Sequence, residues 1–234
     1  MQNDRSVNSY ASYYNEGLRS YMQKVYNYMA GALGITGLVA YLTASSPALL
    51  SLIYHTPLQW VIMFAPLVFV FVFSAKLPTM KVETAQLSFW CFAALMGLSL
   101  SWVFVAYTGT SIARVFFISA SMFGLMAIYG NTTKRDLTAF GSFLMMGVIG
   151  IIIASLINMF IQSSALQFAT SILGVLIFTG LTAYDSQKIK DVYYRYNTGD
   201  ETILGKFSIM GALTLYFDFI NMFISLLHLM GDRR

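Results

Sequence analysis

Charged side chains are scarce in this sequence. Asp, Glu, Lys and Arg make up 10% of its 234 residues, whereas soluble globular domains contain about 25%. Hydrophobic residues account for 57% of the chain, and the mean hydropathy is +0.66. This balance excludes a water-soluble globular domain and indicates an integral membrane protein, with the lipid bilayer as its main partner. A formal charge of +4 is too small to predict nucleic-acid binding.

Cysteine and histidine are also scarce. Cys91 is the only cysteine, so an intramolecular disulfide and a zinc cluster built on cysteine are both excluded. His55 lies in a predicted loop and His228 near the end of the last apolar run, without a second histidine at metal-ligand spacing. The chain has no P-loop and no dinucleotide fingerprint. We therefore expect no enzyme activity, no metal site and no cofactor, apart from transiently bound calcium.

Seven long apolar runs follow one another along the chain. Each is close to the ~20 residues that an α-helix needs to cross the hydrocarbon core of a bilayer. The sequence therefore predicts an all-α polytopic membrane protein, with one transmembrane domain over residues 25–230 and a short tail over 231–234. The predicted spans are Val25–Ala44, Gln59–Ala75, Ala85–Tyr107, Ile112–Gly130, Leu137–Phe160, Leu166–Tyr184 and Phe207–Met230.

The first 24 residues are too polar and too rich in tyrosine for a signal peptide. Apolar and tyrosine side chains recur there at steps of three and four residues, which is typical of one helix face. Two interpretations of this segment stay open: a short helix lying on the membrane surface, or a partly ordered tail. The residues on that face are Tyr10, Tyr13, Tyr14, Leu18, Tyr21, Met22 and Val25.

Basic residues are divided unevenly between the two sets of loops. One side has only Arg114, whereas the other has eleven of the fourteen Lys and Arg residues: Arg5, Arg19, Lys24, Lys76, Lys81, Lys134, Arg135, Lys188, Lys190, Arg195 and Lys206. The positive-inside rule then predicts a cytoplasmic amino terminus, and seven crossings place the carboxyl terminus outside. Arg233 and Arg234 oppose this orientation, and a re-entrant seventh segment would remove the conflict. We favour a full span because Phe207–Met230 is long enough to cross.

One aspartate lies within the last apolar run, and another directly follows the run before it. Asp218 is eleven residues into Phe207–Met230, and Asp185 directly follows Leu166–Tyr184. A carboxylate within the bilayer costs roughly 2.5 kcal/mol or more, so such a residue faces a partner or water and is a functional candidate by default. Two carboxylates in one low-dielectric site cannot both ionise cheaply, so we expect the pair to hold one proton. A purely structural role in helix packing is the alternative.

The neighbours and depths of the two aspartates bear on whether they meet. Tyr216 and Asn221 lie near Asp218, and Asn221 is one turn on, where its amide can hydrogen-bond a carboxylate. Counted from the start of its apolar run, Asp218 is ~16 Å along the helix, whereas Asp185 would sit at the membrane boundary. Contact therefore requires helix six to begin earlier and run deeper, or helix seven to start late, near Gly211.

Three stretches carry a family resemblance. They are GLTAYDSQKIK at Gly180–Lys190, LTLYFDFINMFISLL from Leu213, and NTTKRDL at Asn131–Leu137. Together with the hydropathy of the chain from about Tyr21 onward, they resemble the Bax inhibitor-1 family, also called the transmembrane Bax inhibitor motif family. The resemblance is closest to the bacterial inner-membrane members. It implies a bundle of seven helices with the last helix at its centre.

The resemblance also implies a function for the aspartates. Family members of this type are pH-sensitive calcium leak channels, with Asp185 and Asp218 in the positions of a di-aspartyl pH sensor, and eukaryotic relatives suppress cell death. Tyr184 belongs to the same YD-S-Q-K element. The family pairs its sensor with an arginine at the cytoplasmic end of helix two, where this sequence offers Lys76, in SAKLP. Lysine cannot form the bidentate fork of arginine, so that latch transfers poorly.

Functions from three classes fit these features. We favour a leak pathway for cations, chiefly Ca²⁺, because two carboxylates fall far short of the six to eight oxygens of a tight calcium site and so suit passage. The alternative is a regulatory protein that acts on membrane-protein partners, in stress or quality control, through the polar amino-terminal segment. An intramembrane aspartyl protease is least favoured, because those enzymes carry Gly-x-Gly-Asp where this chain has Leu-Tyr-Phe before Asp218.

Overall fold

The computed structural model describes residues 2–197 and 200–234, with the side chains of the first helix described from Glu16 onward. These residues form nine α-helices and one turn of 3-10 helix at Leu77–Thr79, with no strand among them. The predicted all-α class is therefore confirmed. The helices are α1 (Gln2–Ala44), α2 (Pro47–Tyr54), α3 (Leu58–Lys76), α4 (Val82–Ser99), α5 (Trp102–Ala106), α6 (Gly109–Thr132), α7 (Thr138–Ile161), α8 (Ser164–Tyr196) and α9 (Glu201–Met230).

Seven helical stretches are long and apolar enough to cross a membrane, which confirms the predicted number of spans. α1 is one uninterrupted helix, so its backbone is helical on both sides of the boundary predicted at Lys24. The side chains of Tyr10, Tyr13 and Tyr14, on the predicted surface-lying face, are outside the described residues. The seven stretches are Glu16–Ala44, Leu58–Thr79, Val82–Ala106, Gly109–Thr132, Thr138–Ile161, Ser164–Tyr196 and Glu201–Met230.

The third span consists of two helices, whereas hydropathy predicted a single one over Ala85–Tyr107. α4 and α5 meet at a break around Ser101. The Ser101 hydroxyl donates to the carbonyl oxygen of Leu98 (2.8 Å) and lies 3.0 Å from the Tyr54 hydroxyl of α2. Hydropathy cannot detect this break, because the residues on both sides of it are similarly apolar.

The last helix, α9, lies at the centre of the bundle, as the family resemblance implied. In its most apolar stretch 67% of the residues are buried inside the protein, against 6% to 39% in the other six spans. It packs against α1, α4, α6 and α8, and Leu215, Tyr216 and Met222 have no exposed surface. A helix enclosed on several sides keeps polar groups away from lipid, which an intramembrane aspartate requires.

Two glycines allow neighbouring helices to approach closely. Gly97 of α4 faces the backbone of α1, where an added Cβ would lie 2.7 Å from the carbonyl oxygen of Thr36. Gly130 of α6 faces the carbonyl group of Ala183 on α8 with even less space. A side chain at either position would push two helices apart. Small residues at such contacts are a main source of helix association in lipid.

Contacts between connections place the basic loops together at one end of the bundle. The Lys206 ammonium, in the first turns of α9, donates to the carbonyl oxygen of Pro78 after α3 (2.8 Å). The Lys190 ammonium of α8 donates to the carbonyl oxygen of Asn131 at the end of α6 (2.8 Å). The positively charged connections after α3, α6 and α8 therefore share one end, as the charge pattern requires. That this end faces the cytoplasm stays a prediction.

The carboxyl-terminal tail lies at the opposite end. The backbone N–H of Arg234 donates to the carbonyl oxygen of Ala106 (3.0 Å), after α5. Arg114 of α6 forms an ion pair with Asp232 of the tail (3.2 Å). α9 is one continuous helix that runs from the basic end to this end. The last segment therefore crosses the bundle in a single pass and is not re-entrant.

Candidate functional site

Helices α8 and α9 form an antiparallel pair whose register is fixed by several contacts. Gly211 of α9 lies against Ile189 of α8. Further along, the Thr179 hydroxyl of α8 lies 3.3 Å from the sulfur of Met222 on α9. Each step back along α8 is thus matched by a step forward along α9. This register brings the segment of α8 around Asp185 level with α9 about one turn before Asp218.

The depths of the two aspartates follow from where these helices end. α8 continues for eleven residues beyond Asp185, to Tyr196, and α9 begins at Glu201 rather than at Phe207. Asp185 is therefore about 17 Å from the end of its helix. The sequence-based expectation that Asp185 closes helix six is wrong, because the polar segment after it continues the same helix to Tyr196. Neither a deeper helix six nor a late start of helix seven is needed.

The carboxyl groups of Asp185 and Asp218 lie within hydrogen-bond reach of each other. Both side chains are buried, with 7% and 4% of their surface exposed. A hydrogen bond between two carboxyl groups requires a proton on one of them, because an ionised carboxylate only accepts. Oδ2 of Asp218 is buried, and no donor group elsewhere in the described part of the chain reaches it. The geometry therefore suits a pair that holds one proton.

The aspartate pair lines a cavity of about 660 Å³ between α7, α8 and α9. α7 supplies a mostly apolar wall that includes Ser155, and α8 supplies Thr170 and Ser171 in addition to Asp185. α9 supplies Asp218 and a series of polar residues towards its carboxyl end. These are Asn221, Ser225 and His228, with Thr214 one turn before Asp218. These polar residues could have been identified from the sequence, because they share a helix face with Asp218. His228 was not included there, because no second histidine lies at metal-ligand spacing from it.

The residues expected to support the pair are divided between two sides of α9. Asn221 lines the cavity, but its amide nitrogen donates to the carbonyl oxygen of Phe217 (2.8 Å) rather than to a carboxylate. Tyr216 faces the opposite side of α9, where its hydroxyl lies 2.8 Å from that of Thr36 on α1. The Thr36 hydroxyl also donates to the carbonyl oxygen of Ala93 on α4 (2.8 Å). Tyr216 therefore ties three helices together away from the aspartates.

The other two supporting residues also lie outside the cavity. The ring of Tyr184 packs against Gly141 of α7, and the Lys188 ammonium lies 5.7 Å from the centre of that ring. Lys76 is exposed at the end of α3 and is absent from the cavity lining. Lys188 is one turn after Asp185 on α8, and among the described residues its ammonium lies over the Tyr184 ring rather than in an ion pair with an aspartate. The structure thus shows no contact between Lys76 and the aspartate pair.

The two polar motifs of the sequence contact each other at the basic end of the bundle. The side-chain oxygen of Gln187 accepts from the backbone N–H of Leu137 (2.9 Å), and its amide nitrogen donates to the carbonyl oxygen of Arg135 (2.8 Å). The YDSQK segment therefore holds the loop between α6 and α7 against α8. This contact holds α8 in place, and Asp185 is two residues before Gln187 on the same helix. Among the side chains that the structure describes, from Glu16 onward, no three Asp, Glu, His or Cys residues come together as for a tight metal site.

Comparison with known proteins gives a consistent family assignment. A sequence model of the family described as "Inhibitor of apoptosis-promoting Bax1" matches residues 18–234. An uncharacterised protein of Rickettsia prowazekii is 52% identical over 221 residues, covering 94% of this chain and 93% of that protein. Inner membrane protein YbhL of Escherichia coli is 44% identical over 219 residues, covering 93% and 94%. The chain belongs to the Bax inhibitor-1 family of membrane proteins.

Proposed function

We propose that this protein is a pH-sensitive leak channel for cations, chiefly Ca²⁺, in a bacterial inner membrane. The observation that carries the proposal is the buried contact between Asp185 and Asp218 at one end of a cavity that runs along the central helix. Intramembrane acids that face one another in a cavity are typical of ion and proton pathways. The inner-membrane location is supported by the name of the Escherichia coli relative.

The proposed gate is the proton that the two carboxyl groups share. While one proton is present, α8 and α9 stay in contact through the hydrogen bond and the pathway is closed. When that proton leaves, two like charges about 4 Å apart repel by about 4 kcal/mol at an effective dielectric constant of 20. A change of this size alters the ratio of closed to open molecules by about a thousandfold, which is enough to switch a two-state gate.

The composition of the site favours passage of a cation over storage. Two carboxylates supply far fewer oxygens than the six to eight of a tight calcium site, and a permeant ion must be able to leave. A cation beside an ionised aspartate would hold it in the closed form and reverse the direction of the pH dependence. Without such a cation flux rises with pH, as the gate described above requires, and with one it falls. In both cases the pH dependence of flux requires this pair.

Calcium flux from the purified protein in liposomes, measured across neutral pH, tests the proposal. We expect Asp185→Asn and Asp218→Asn each to abolish the pH dependence of flux, because an amide cannot release the shared proton. Asp191→Asn is the matched control: Asp191 is on the same helix and absent from the cavity lining, so its replacement should keep the wild-type pH profile.

Two results would contradict the proposal. If both cavity variants retained the wild-type pH profile, the aspartates would be structural. If the wild-type protein carried no calcium flux at any pH, the proposed function as a leak channel would be wrong. The regulatory role predicted from the sequence, through membrane-protein partners, would then take its place.

A further inference from the structure

The central helix has one face that is not fully buried. Between Gly211 and His228, every residue of α9 is buried in the core except six. All six line the same cavity as the aspartate pair. They are Thr214, Phe217, Asn221, Ile224, Ser225 and His228. The incompletely covered side of an otherwise enclosed helix is therefore the wall of this cavity.

Polar residues recur along that face at helical spacing. Starting from Thr214, the steps to Asp218, Asn221, Ser225 and His228 are four, three, four and three residues. Residues at these steps lie above one another on one side of a helix. From Asp218 to His228 the face extends about 15 Å towards the end of the bundle that holds the carboxyl-terminal tail. A continuous polar face of this length is costly in lipid unless it contacts water or other polar groups.

Hydrogen bonds leave oxygen atoms on this face available to an ion or to water. Asn221 uses its amide nitrogen on the backbone of its own helix, as described above, so its amide oxygen remains an acceptor. On the facing wall, the hydroxyls of Thr170 and Ser171 donate to carbonyl oxygens of α8 (2.9 Å and 2.8 Å) and keep their lone pairs. Neutral oxygen ligands are those that hard cations such as Ca²⁺ prefer besides carboxylates.

We propose that the half of the pathway beyond the aspartate gate is a water-filled groove along this face of α9. A partly hydrated cation would pass from Asp218 by Asn221 and Ser225 to His228, whose ring lies tilted against that of Trp102 of α5 (6.1 Å between ring centres). This inference rests on the proposed leak function and adds the residues that line its second half. The competing occupant of the groove is a lipid acyl chain.

Cysteine reactivity distinguishes water from lipid in the groove. In a Cys91→Ser background, which removes the natural thiol, Asn221→Cys and Ser225→Cys are treated with a charged, membrane-impermeant thiol reagent. We expect both to react. Leu176→Cys is the control that faces lipid, because Leu176 of α8 is 63% exposed and lies at nearly the depth of Ser225 in the register of the two helices. Met222→Cys is the buried control, and neither control should react.

Flux measurements then test whether ions use the groove. Asn221→Leu and Ser225→Leu, in protein that elutes like the wild type, should lower calcium flux to about a tenth or less, because they replace polar oxygen with apolar bulk in the pathway. Their pH dependence should persist, since the aspartates are intact. Leu176→Ile, at a residue of α8 that is exposed and absent from the cavity lining, should leave flux unchanged.

Each outcome of these experiments decides the inference. The inference would be overturned if Asn221→Cys and Ser225→Cys were as unreactive as Leu176→Cys, because lipid would then fill the groove. Reactive cysteines together with unchanged flux in the leucine variants would overturn it as well. The thiol reaction needs no ion flux, so a wild type without flux would refute the leak function separately, while the reactivity still reports whether the groove is hydrated.

Discussion

The Tyr216 hydroxyl shows how one residue next to the site in sequence can be separate from it in space. It is fully buried and shares a hydrogen bond with Thr36, on the side of α9 away from Asp218. Residues two apart on a helix point in directions that differ by about 160°. Sequence proximity to Asp218 therefore placed Tyr216 among the supporting residues, whereas the geometry gives it a role in packing.

Replacement of Tyr216 by phenylalanine tests this assignment. Tyr216→Phe removes one buried hydroxyl and leaves Thr36 bonded to Ala93, so we expect a loss of about 0.5–1.5 kcal/mol in stability. The midpoint of thermal unfolding should fall, and the pH profile of calcium flux should match the wild type. Asp218→Asn serves as the comparison. A Tyr216→Phe profile as flat as that of Asp218→Asn would place the hydroxyl in the gate instead.

At the scale of helices, apolar runs predicted which segments cross the bundle but not where the helices end. α8 extends to Tyr196 through a polar segment, because helix formation depends on hydrogen bonding and packing as well as on contact with lipid. The contact of Asp185 with Asp218 depends on that extension and on the register with α9, which only packing determines. Asp185 and Asp218 could be identified from the sequence, because a carboxylate is costly in a bilayer. The cavity beyond them depends on how α7, α8 and α9 pack, so the sequence could not predict it.

The first turn of α9 offers a prediction about pH outside the membrane. The backbone N–H of Thr202 donates to the Asp200 carboxylate (2.8 Å), and this hydrogen bond holds the pKa of Asp200 below its ordinary value. A lowered pKa means that the cap stabilises the helix start above about pH 4 and is lost as the pH falls through the lowered value. Asp200→Ala should therefore speed amide hydrogen exchange in the first turn of α9 at neutral pH.

An asparagine at the same position is the matched control for the cap. Asn also accepts a hydrogen bond at the first position of a helix and does not titrate. Asp200→Asn should keep the wild-type protection factor at neutral pH, and should lack the fall in protection factor that we expect of the wild type as the Asp200 carboxylate is protonated. Equal exchange in the alanine variant and the wild type would mean that the cap does not hold this turn.

At the scale of the whole molecule, charge and structure agree on which connections share an end. The basic connections after α3, α6 and α8 contact one another or the same helices, and the tail contacts the residues around Ala106 at the opposite end. Eleven basic residues on one side outweigh the two arginines of the tail under the positive-inside rule. The ion pair of Asp232 with Arg114 further neutralises one charge at the tail end.

The orientation itself can be measured with a reporter that is active only outside the cytoplasm. Fused after Arg234, it should be active, because seven crossings from a cytoplasmic amino terminus leave the tail outside. Fused after Lys134, between α6 and α7, it should be inactive, and fused after Ser163, between α7 and α8, it should again be active. A reporter that is silent after Arg234 and active after Lys134, with both fusions expressed, would invert the bundle. The proposed groove along α9 would then open to the cytoplasm, and the basic end would face outward against the charge rule.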